Sequence, residues 1–295
     1  MQPDLTICIP TYNRLKYLKE LLVNLRLDSA NAPSIKVSDN HSCDGTWDWI
    51  RELSHAAFPR LSAWRQPENV GPFMNQLLCV SSVDTKYVWL ICDDEILEPG
   101  AVDAVCEAIK SDADIYVSNL GGDSIQNFAD LYSEPSLFFQ HAHRFDPRYL
   151  LAVGGWSHCI FKKEAFDFQA YHCSRSSALK YPSSYPHHYA LWSGQRSVGV
   201  IKRQLVRGRD PVLPPPDGKV PEASSDIQWA KCVSHINSKY GLNIHLDILS
   251  KTYSAHQVGP LFKDPVGTIR RYAPMLAVPR NWPRVFNRLW HYFVR

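Results

Sequence analysis

Asp93, Asp94 and Glu95 stand in a row directly behind the apolar run Tyr87–Cys92. Three neighbouring carboxyl groups repel one another unless a cation or solvent relieves them, and hard divalent cations take carboxylate oxygens. A magnesium or manganese shell completed by substrate phosphates is one reading; an acidic entry to a helix begun by Pro99 is the other. Asp39 closes an earlier apolar run and is followed by Asn40. A carboxylate there can accept hydrogen bonds from a base or ribose, as acids do in dinucleotide folds, or can simply brace an Asx turn. Asp44, ahead of Gly45 and Thr46, reads as a helix cap. Thr11-Tyr12-Asn13 forms a third polar cluster, behind a first apolar run.

These clusters sit where strands would end. Leu5–Pro10 is short, apolar and β-branched and reads as a buried strand stopped by its proline. Leu15, Leu18, Leu21, Leu22 and Leu25 recur at helical spacing. Ile35–Asp39 predicts a second strand, Thr46–Leu53 a helix, Ala63-Trp64 a short strand, Pro72–Val83 a helix and Tyr87–Ile91 a strand. Pro99-Gly100 opens a helix through Ile109, and Asp114–Leu120 predicts a fifth strand. Strands alternating with helices across short connections imply an α/β fold with a mostly parallel sheet covered on both faces. Ligands of such sheets bind beyond the carboxyl ends of the strands, so the three polar clusters are expected to converge on one cleft. Beyond residue 121 the alternation becomes irregular. Residues 211–221 hold five prolines and read as an extended connector, followed by helical spacing over 225–240.

Four motifs occur in order: Ile9-Pro-Thr-Tyr-Asn-Arg14, Val37-Ser-Asp-Asn-His-Ser-Cys-Asp-Gly-Thr46, Glu68-Asn-Val-Gly71 and Leu90-Ile-Cys-Asp-Asp-Glu-Ile-Leu-Glu-Pro-Gly100. Together they resemble the family 2 glycosyltransferases of GT-A fold, which invert the anomeric centre of a nucleotide-sugar donor. The likeness is greatest to the bacterial O-antigen and polysaccharide enzymes, abequosyltransferases among them. The resemblance implies that Pro10, Thr11, Tyr12 and Arg14 line the nucleotide pocket, that Asp39 binds the base, and that Asn69 and Gly71 lie near the nucleotide. It places Asp93, Asp94 and Glu95 at the family's metal-binding D-x-D. Asp94 is then the first metal ligand, for Mn²⁺ or Mg²⁺, with Asp93 or Glu95 reaching the ribose or metal-bound water. Glu95 stands where the family has aspartate.

An inverting transfer needs a base to take the acceptor hydroxyl's proton. The family supplies it from a Glu-Asp pair in the acceptor half, yet residues 168–209 contain no Asp or Glu. His187 and His188 stand in that place, ahead of a predicted helix, and imidazole is suited to the role. A helix cap, an acceptor contact or a solvated pair are the other readings, and Asp123 and Asp146 are alternative acids. No spacing forces a zinc site from His141, His143, His187 and His188. Trp156, behind Gly154-Gly155, is either a stacking platform for a sugar ring or a core residue.

Trp282, Val285, Phe286, Leu289, Trp290, Phe293 and Val294 fall on one helical face, with Arg280, Arg284, Arg288, His291 and Arg295 off it. That pattern fits a helix lying in a membrane interface, or a terminal helix packed on its own domain. Residues 251–295 carry eight Lys/Arg against one acid, while the chain as a whole has a formal net charge of +3. A basic tail on a mildly acidic body suggests that the tail meets something anionic. The resemblance, whose acceptors are lipid-linked glycans at the inner face of the membrane, implies a membrane surface, and bases confined to one short tail argue against nucleic acid.

The 295 residues, 45% hydrophobic and 21% charged, can bury a sizeable core, which excludes wholesale disorder. The longest uncharged apolar run, Tyr87–Cys92, is far short of the ~20 residues that span a bilayer. Pro3 and Asp4 stand where a secretion signal would be basic and then apolar, so a cytoplasmic protein is expected, bound peripherally at the inner face of the plasma membrane. The eight cysteines include no C-x-x-C pair and read as reduced.

The expectation is a GT-A domain over residues 1–210 and, over 211–295, a connector and helical extension ending in the basic amphipathic tail. The expected reaction moves a sugar from a nucleoside-diphosphate donor, UDP first among the candidates, to a hydroxyl of a lipid-linked surface glycan such as O-antigen. Two alternatives remain: a catalytically inactive nucleotide- or glycan-binding relative, and a sugar nucleotidyltransferase. The latter ordinarily has a glycine- and lysine-rich phosphate loop, which Pro10–Arg14 is not.

Overall fold

The computed structural model describes residues 4–25, 32–53, 58–118, 123–145, 156–169, 191–192 and 194–208. The chain divides into two units, Met1–Glu222 and Ala223–Arg295, and every described residue lies in the first. The expected boundary at residue 210, the connector, the tail, His187, His188, Asp146 and the Gly154-Gly155 pair fall outside the described residues.

Strand β1 (Leu5–Thr11) is an inner strand of the main sheet. Leu5, Ile7 and Ile9 on one face and Thr6 and Cys8 on the other are all buried, which only a strand covered on both sides can achieve. It runs one residue beyond Pro10, where the sequence pattern stops it. A proline near a strand end removes one ladder donor, and the next carbonyl, that of Thr11, still accepts the Asn40 N–H at 2.9 Å. Helix α1 (Leu15–Asn24) follows and buries Leu18, Leu21 and Leu22 as a stripe at helical spacing.

Next come β2 (Ser34–Asp39), α2 (Thr46–Glu52), β3 (Leu61–Arg65), α3 (Pro72–Ser81) and β4 (Tyr87–Leu90). Pro72 takes the first position of α3, where its missing N–H has no partner to lose. The first four strands pair in parallel in the order β3-β2-β1-β4. This alternation was legible in the sequence, with boundaries shifted by a residue or two.

The next elements are β5 (Ile96–Leu97), α4 (Ala101–Ala108) and β6 (Ile115–Val117), then β7 (Leu131–Tyr132) and α5 (Pro135–Phe145). The last described strands are β8 (Cys159–Lys162), β9 (Val198–Val200) and β10 (Val206–Arg207). Among the described residues the main sheet has eight strands in the order β3-β2-β1-β4-β8-β6-β9-β7, while β5 and β10 form a small antiparallel pair. Strand β8 enters antiparallel between β4 and β6. The core beneath the site joins Leu5, Ile7 and Ile9 to Leu18, Leu22, Val37, Trp89, Val105 and Ile160. No helix among the described residues is long and apolar enough to cross a membrane, and the six described cysteines are free.

Candidate active site

Register decides which residues meet. Thr11 lies opposite Asp39 across the parallel β1–β2 pair, and Cys8 lies opposite Leu90 across β1–β4. The ladder continues with the Ile91 N–H donating to the Cys8 carbonyl at 2.9 Å. The chain from Cys92 to Glu95 therefore leaves the sheet on the same edge as Thr11 and Asp39.

At that edge the Thr11 hydroxyl donates to Asp93 Oδ2 at 2.7 Å. The Tyr12 backbone N–H also donates to Asp93, and the Arg14 guanidinium lies 3.6 Å from its Oδ1. Burial nevertheless prevails over these contacts and pushes the Asp93 carboxyl up to about 7. Arg14 also bonds the Asp94 carboxylate directly. Burial alone would lower the guanidinium's pKa, but Asp93 and Asp94 outweigh it and hold the group more firmly charged. The mutual repulsion of the acids is thus relieved from within the chain, by an arginine at the start of α1.

Glu95 turns another way. Its Oε2 accepts the Cys92 N–H at 3.2 Å, and Ser157 bonds its side chain. Burial pushes it, too, up to about 7. Ser157 is fully buried; its hydroxyl accepts the Cys92 N–H at 3.2 Å and its carbonyl accepts the Trp89 indole N–H at 2.8 Å. The residue before it, Trp156, is half-buried, with its ring 5.8 Å from that of Phe73 in the first turn of α3. The Trp156-Ser157 step thereby touches both the start of α3 and the acidic turn. Sequence reasoning singled out Trp156 and passed over Ser157, whose neighbours are set by β8 rather than by local pattern.

Asp39 is 0% exposed. It accepts the Ser42 N–H at 3.2 Å and faces Arg65 Nε at 3.4 Å. Burial raises its pKa, against the pull of Ser42 and Arg65. The loops around it are laced together: the Asn13 N–H donates to Ser42 Oγ at 2.8 Å, and the Cys43 N–H donates to Asn13 Oδ1 at 2.8 Å. Asn13 and His41 both hold positive φ, 52° and 66°, a conformation that costs free energy and concentrates at functional loops. Asn40 reaches across to Asn69 Oδ1 at 2.8 Å, and the Gly71 N–H donates to the same oxygen at 2.9 Å. Gly71 has φ of 84°, which glycine alone adopts without strain. Asp44 accepts the N–H of Leu15 at 3.0 Å and of Thr46 at 3.1 Å, capping the starts of both α1 and α2.

The expected site residues Pro10, Thr11 and Asp39 close β1 and β2, and Tyr12, Arg14, Asn69, Gly71, Asp93 and Asp94 lie in the loops that follow β1, β3 and β4. No group of three or more His, Cys, Asp or Glu among the described residues is gathered to hold a metal ion alone. Asp94, with 21% of its side chain exposed, offers a hard oxygen that suits a partial shell completed by phosphates. His141 is engaged elsewhere, 2.8 Å from the Tyr132 hydroxyl and stacked on Phe128 at 5.0 Å.

A mostly parallel sheet with a polar, acid-bearing edge beyond its first, second and fourth strands defines an α/β protein with a ligand site at the carboxyl ends of its strands. The model of glycosyl transferase family 2 matches residues 6–168. Abequosyltransferase RfbV of Salmonella typhimurium is 30% identical over 223 residues, covering 69% of this chain and 64% of that protein. The chain belongs to glycosyl transferase family 2. It spans 64% of the length of this relative. S. aureus TarS residues 1–349, in complex with UDP-GlcNAc, superposes with a TM-score of 0.55 at 13% identity, over 98% of this chain and 80% of that one. A second structure of TarS 1–349 gives 0.54 at the same identity, over 98% and 79%. At such identity the likeness establishes the fold alone.

Proposed function

We propose that this protein transfers a sugar, with inversion, from a nucleoside-diphosphate donor to a hydroxyl of a lipid-linked bacterial surface glycan such as O-antigen. The observation that carries the reading is the joining of Thr11, Arg14, Asp93 and Asp94 at one strand edge, beside the buried Asp39. Its backbone and side-chain donors and its acids have the chemistry to hold a base, a ribose and a diphosphate. The abequosyltransferase relative and the UDP-GlcNAc complex of the TarS fold support a sugar-nucleotide donor, UDP first among the candidates.

In this reading Asp39 and the Asn40–Asn69–Gly71 contacts position the nucleoside, Arg14 faces the diphosphate, and Asp93 reaches the ribose or metal-bound water. Asp94, with Glu95 behind it, would hold Mn²⁺ or Mg²⁺. The ion would supply neutralisation of the diphosphate leaving group. Trp156 would face the sugar or acceptor. His187 or His188 would take the acceptor's proton as its oxygen attacks the anomeric carbon. The enzyme would work in the cytoplasm, its basic C-terminal tail resting on the inner face of the plasma membrane near a lipid-linked acceptor.

The test is transfer itself: purified protein, labelled UDP-sugars with Mn²⁺, and membranes or lipid-linked glycan from bacteria that make O-antigen. Labelled glycan whose new linkage has the opposite anomeric configuration to the donor is the expected result. Tight nucleotide binding with no transfer to any acceptor would instead identify an inactive binding protein.

A further inference from the structure

Arg14 is held in place from several directions. Its carbonyl accepts the Leu18 N–H at 3.0 Å, which fixes its backbone at the start of α1. Its guanidinium carbon lies 5.8 Å from the Tyr17 ring centroid. The guanidinium bonds Asp94 and stands 3.6 Å from Asp93, with only 21% of the side chain exposed. Among the described ion pairs it is the one cation on the acidic turn.

We propose that Arg14 is the resting counter-cation of this turn, and that its exchange between Asp94 and the donor's diphosphate makes metal binding conditional on the nucleotide. The proposal rests on the reading of the turn as a donor and metal site, and adds a coupling to it. The oxygen that Arg14 bonds, Asp94 Oδ2, belongs to the carboxylate assigned to the metal. A guanidinium and a divalent cation repel each other, so both cannot be held on that carboxylate without cost. Loading metal onto the empty protein therefore means giving up a charge-assisted hydrogen bond. With a nucleoside diphosphate present the freed guanidinium meets a phosphate, for which its planar fork is well matched. Metal and nucleotide then favour one another, reciprocally, through one side chain.

The experiment is a titration of the full-length protein with Mn²⁺, read by the electron paramagnetic resonance of the free ion. Wild type, Arg14→Ala, Arg14→Gln and Asp94→Asn are compared with and without UDP. Without nucleotide, Arg14→Ala is expected to bind Mn²⁺ ~10-fold more tightly than wild type, the worth of one charge-assisted hydrogen bond. The gain that UDP brings to Mn²⁺ affinity is expected to shrink in the same variant. Arg14→Gln, which keeps a hydrogen-bonding end without the charge, should move in the same direction and serves if the alanine variant does not fold. Nucleotide-free Mn²⁺ affinity equal to or weaker than wild type in the Arg14 variants overturns the coupling while leaving the metal site standing. Failure of wild type to bind Mn²⁺ even with UDP, or undiminished binding by Asp94→Asn, overturns the metal reading and the coupling together.

Discussion

The Thr11 hydroxyl donates to the Asp93 carboxylate at 2.7 Å, tying the end of the first strand to the turn behind the fourth across 82 residues of chain. That bond, with the Arg14 pairs beside it, turns two stretches of sequence into one site. It also holds Asp93 in a buried position, where its charge is costly.

The pH dependence of stability follows from this. Asp93 and Glu95 are both raised to about 7 by burial, well above an ordinary carboxylate. Between ~pH 4 and about 7 the native state therefore holds protons that the unfolded chain has released. The contribution of these groups to stability falls as pH rises through that window and is level above it, with a slope of at most ~1.4 kcal/mol per pH unit for each group. Urea unfolding in EDTA across that range should show the decline, and Glu95→Gln should flatten it. A Glu95→Gln profile parallel to wild type throughout would contradict the assignment.

Arg65 is the cation beside the buried Asp39, 3.4 Å away. Arg65→Ala leaves that carboxylate to Ser42 alone and should cost ~1–3 kcal/mol near neutral pH. Its loss raises the Asp39 pKa further, so the cost should shrink at acid pH, where the protonated carboxyl no longer needs a cation. Urea midpoints near pH 5 and near pH 7.5 measure both values. Equal losses at the two would mean that Arg65 acts through packing.

Asp94 carries the metal assignment. Asp94→Ala should abolish the increase in nucleotide affinity that Mn²⁺ brings, as read by calorimetry, while the fold melts cooperatively. Retention of a full metal-dependent increase would move the ligand elsewhere.

His187 and His188 are tested by turnover. If one of them is the base, its alanine variant should lose ~10²–10⁴-fold in kcat while nucleotide affinity stays near wild type. Near wild-type turnover in both variants would end the imidazole assignment and direct attention to Asp123 and Asp146.

Much of the donor half was legible in the sequence because its determinants are local. Leu5–Ile9, Ile35–Val37 and Tyr87–Ile91 are apolar runs closed by turn residues, and the leucines of α1 repeat at helical spacing. Parallel alternation then forces their polar ends to one edge. What escaped notice depends on partners distant in the chain. Ile96-Leu97 becomes a strand only because Val206-Arg207 returns to pair with it, and two residues carry no periodicity. Nothing local in Cys159–Lys162 names its neighbours, yet it inserts antiparallel beside β4 and brings Ser157 to the acidic turn. Arg65 gave no signal as the partner of Asp39, since strand pairing places it there. The capping role of Asp44 was read from its Gly-Thr context, although its second bond, to Leu15, was not.

The most direct test of the donor site is a thermal-shift panel of UDP, GDP, CDP and dTDP, each with and without Mn²⁺. A ligand that binds only the folded protein raises its stability by ~2.7 kcal/mol at a hundredfold excess over Kd. The account predicts a Mn²⁺-dependent rise in Tm with one nucleotide, UDP first, that Asp94→Ala removes. No rise with any of the four, in the presence or absence of the metal, would contradict it.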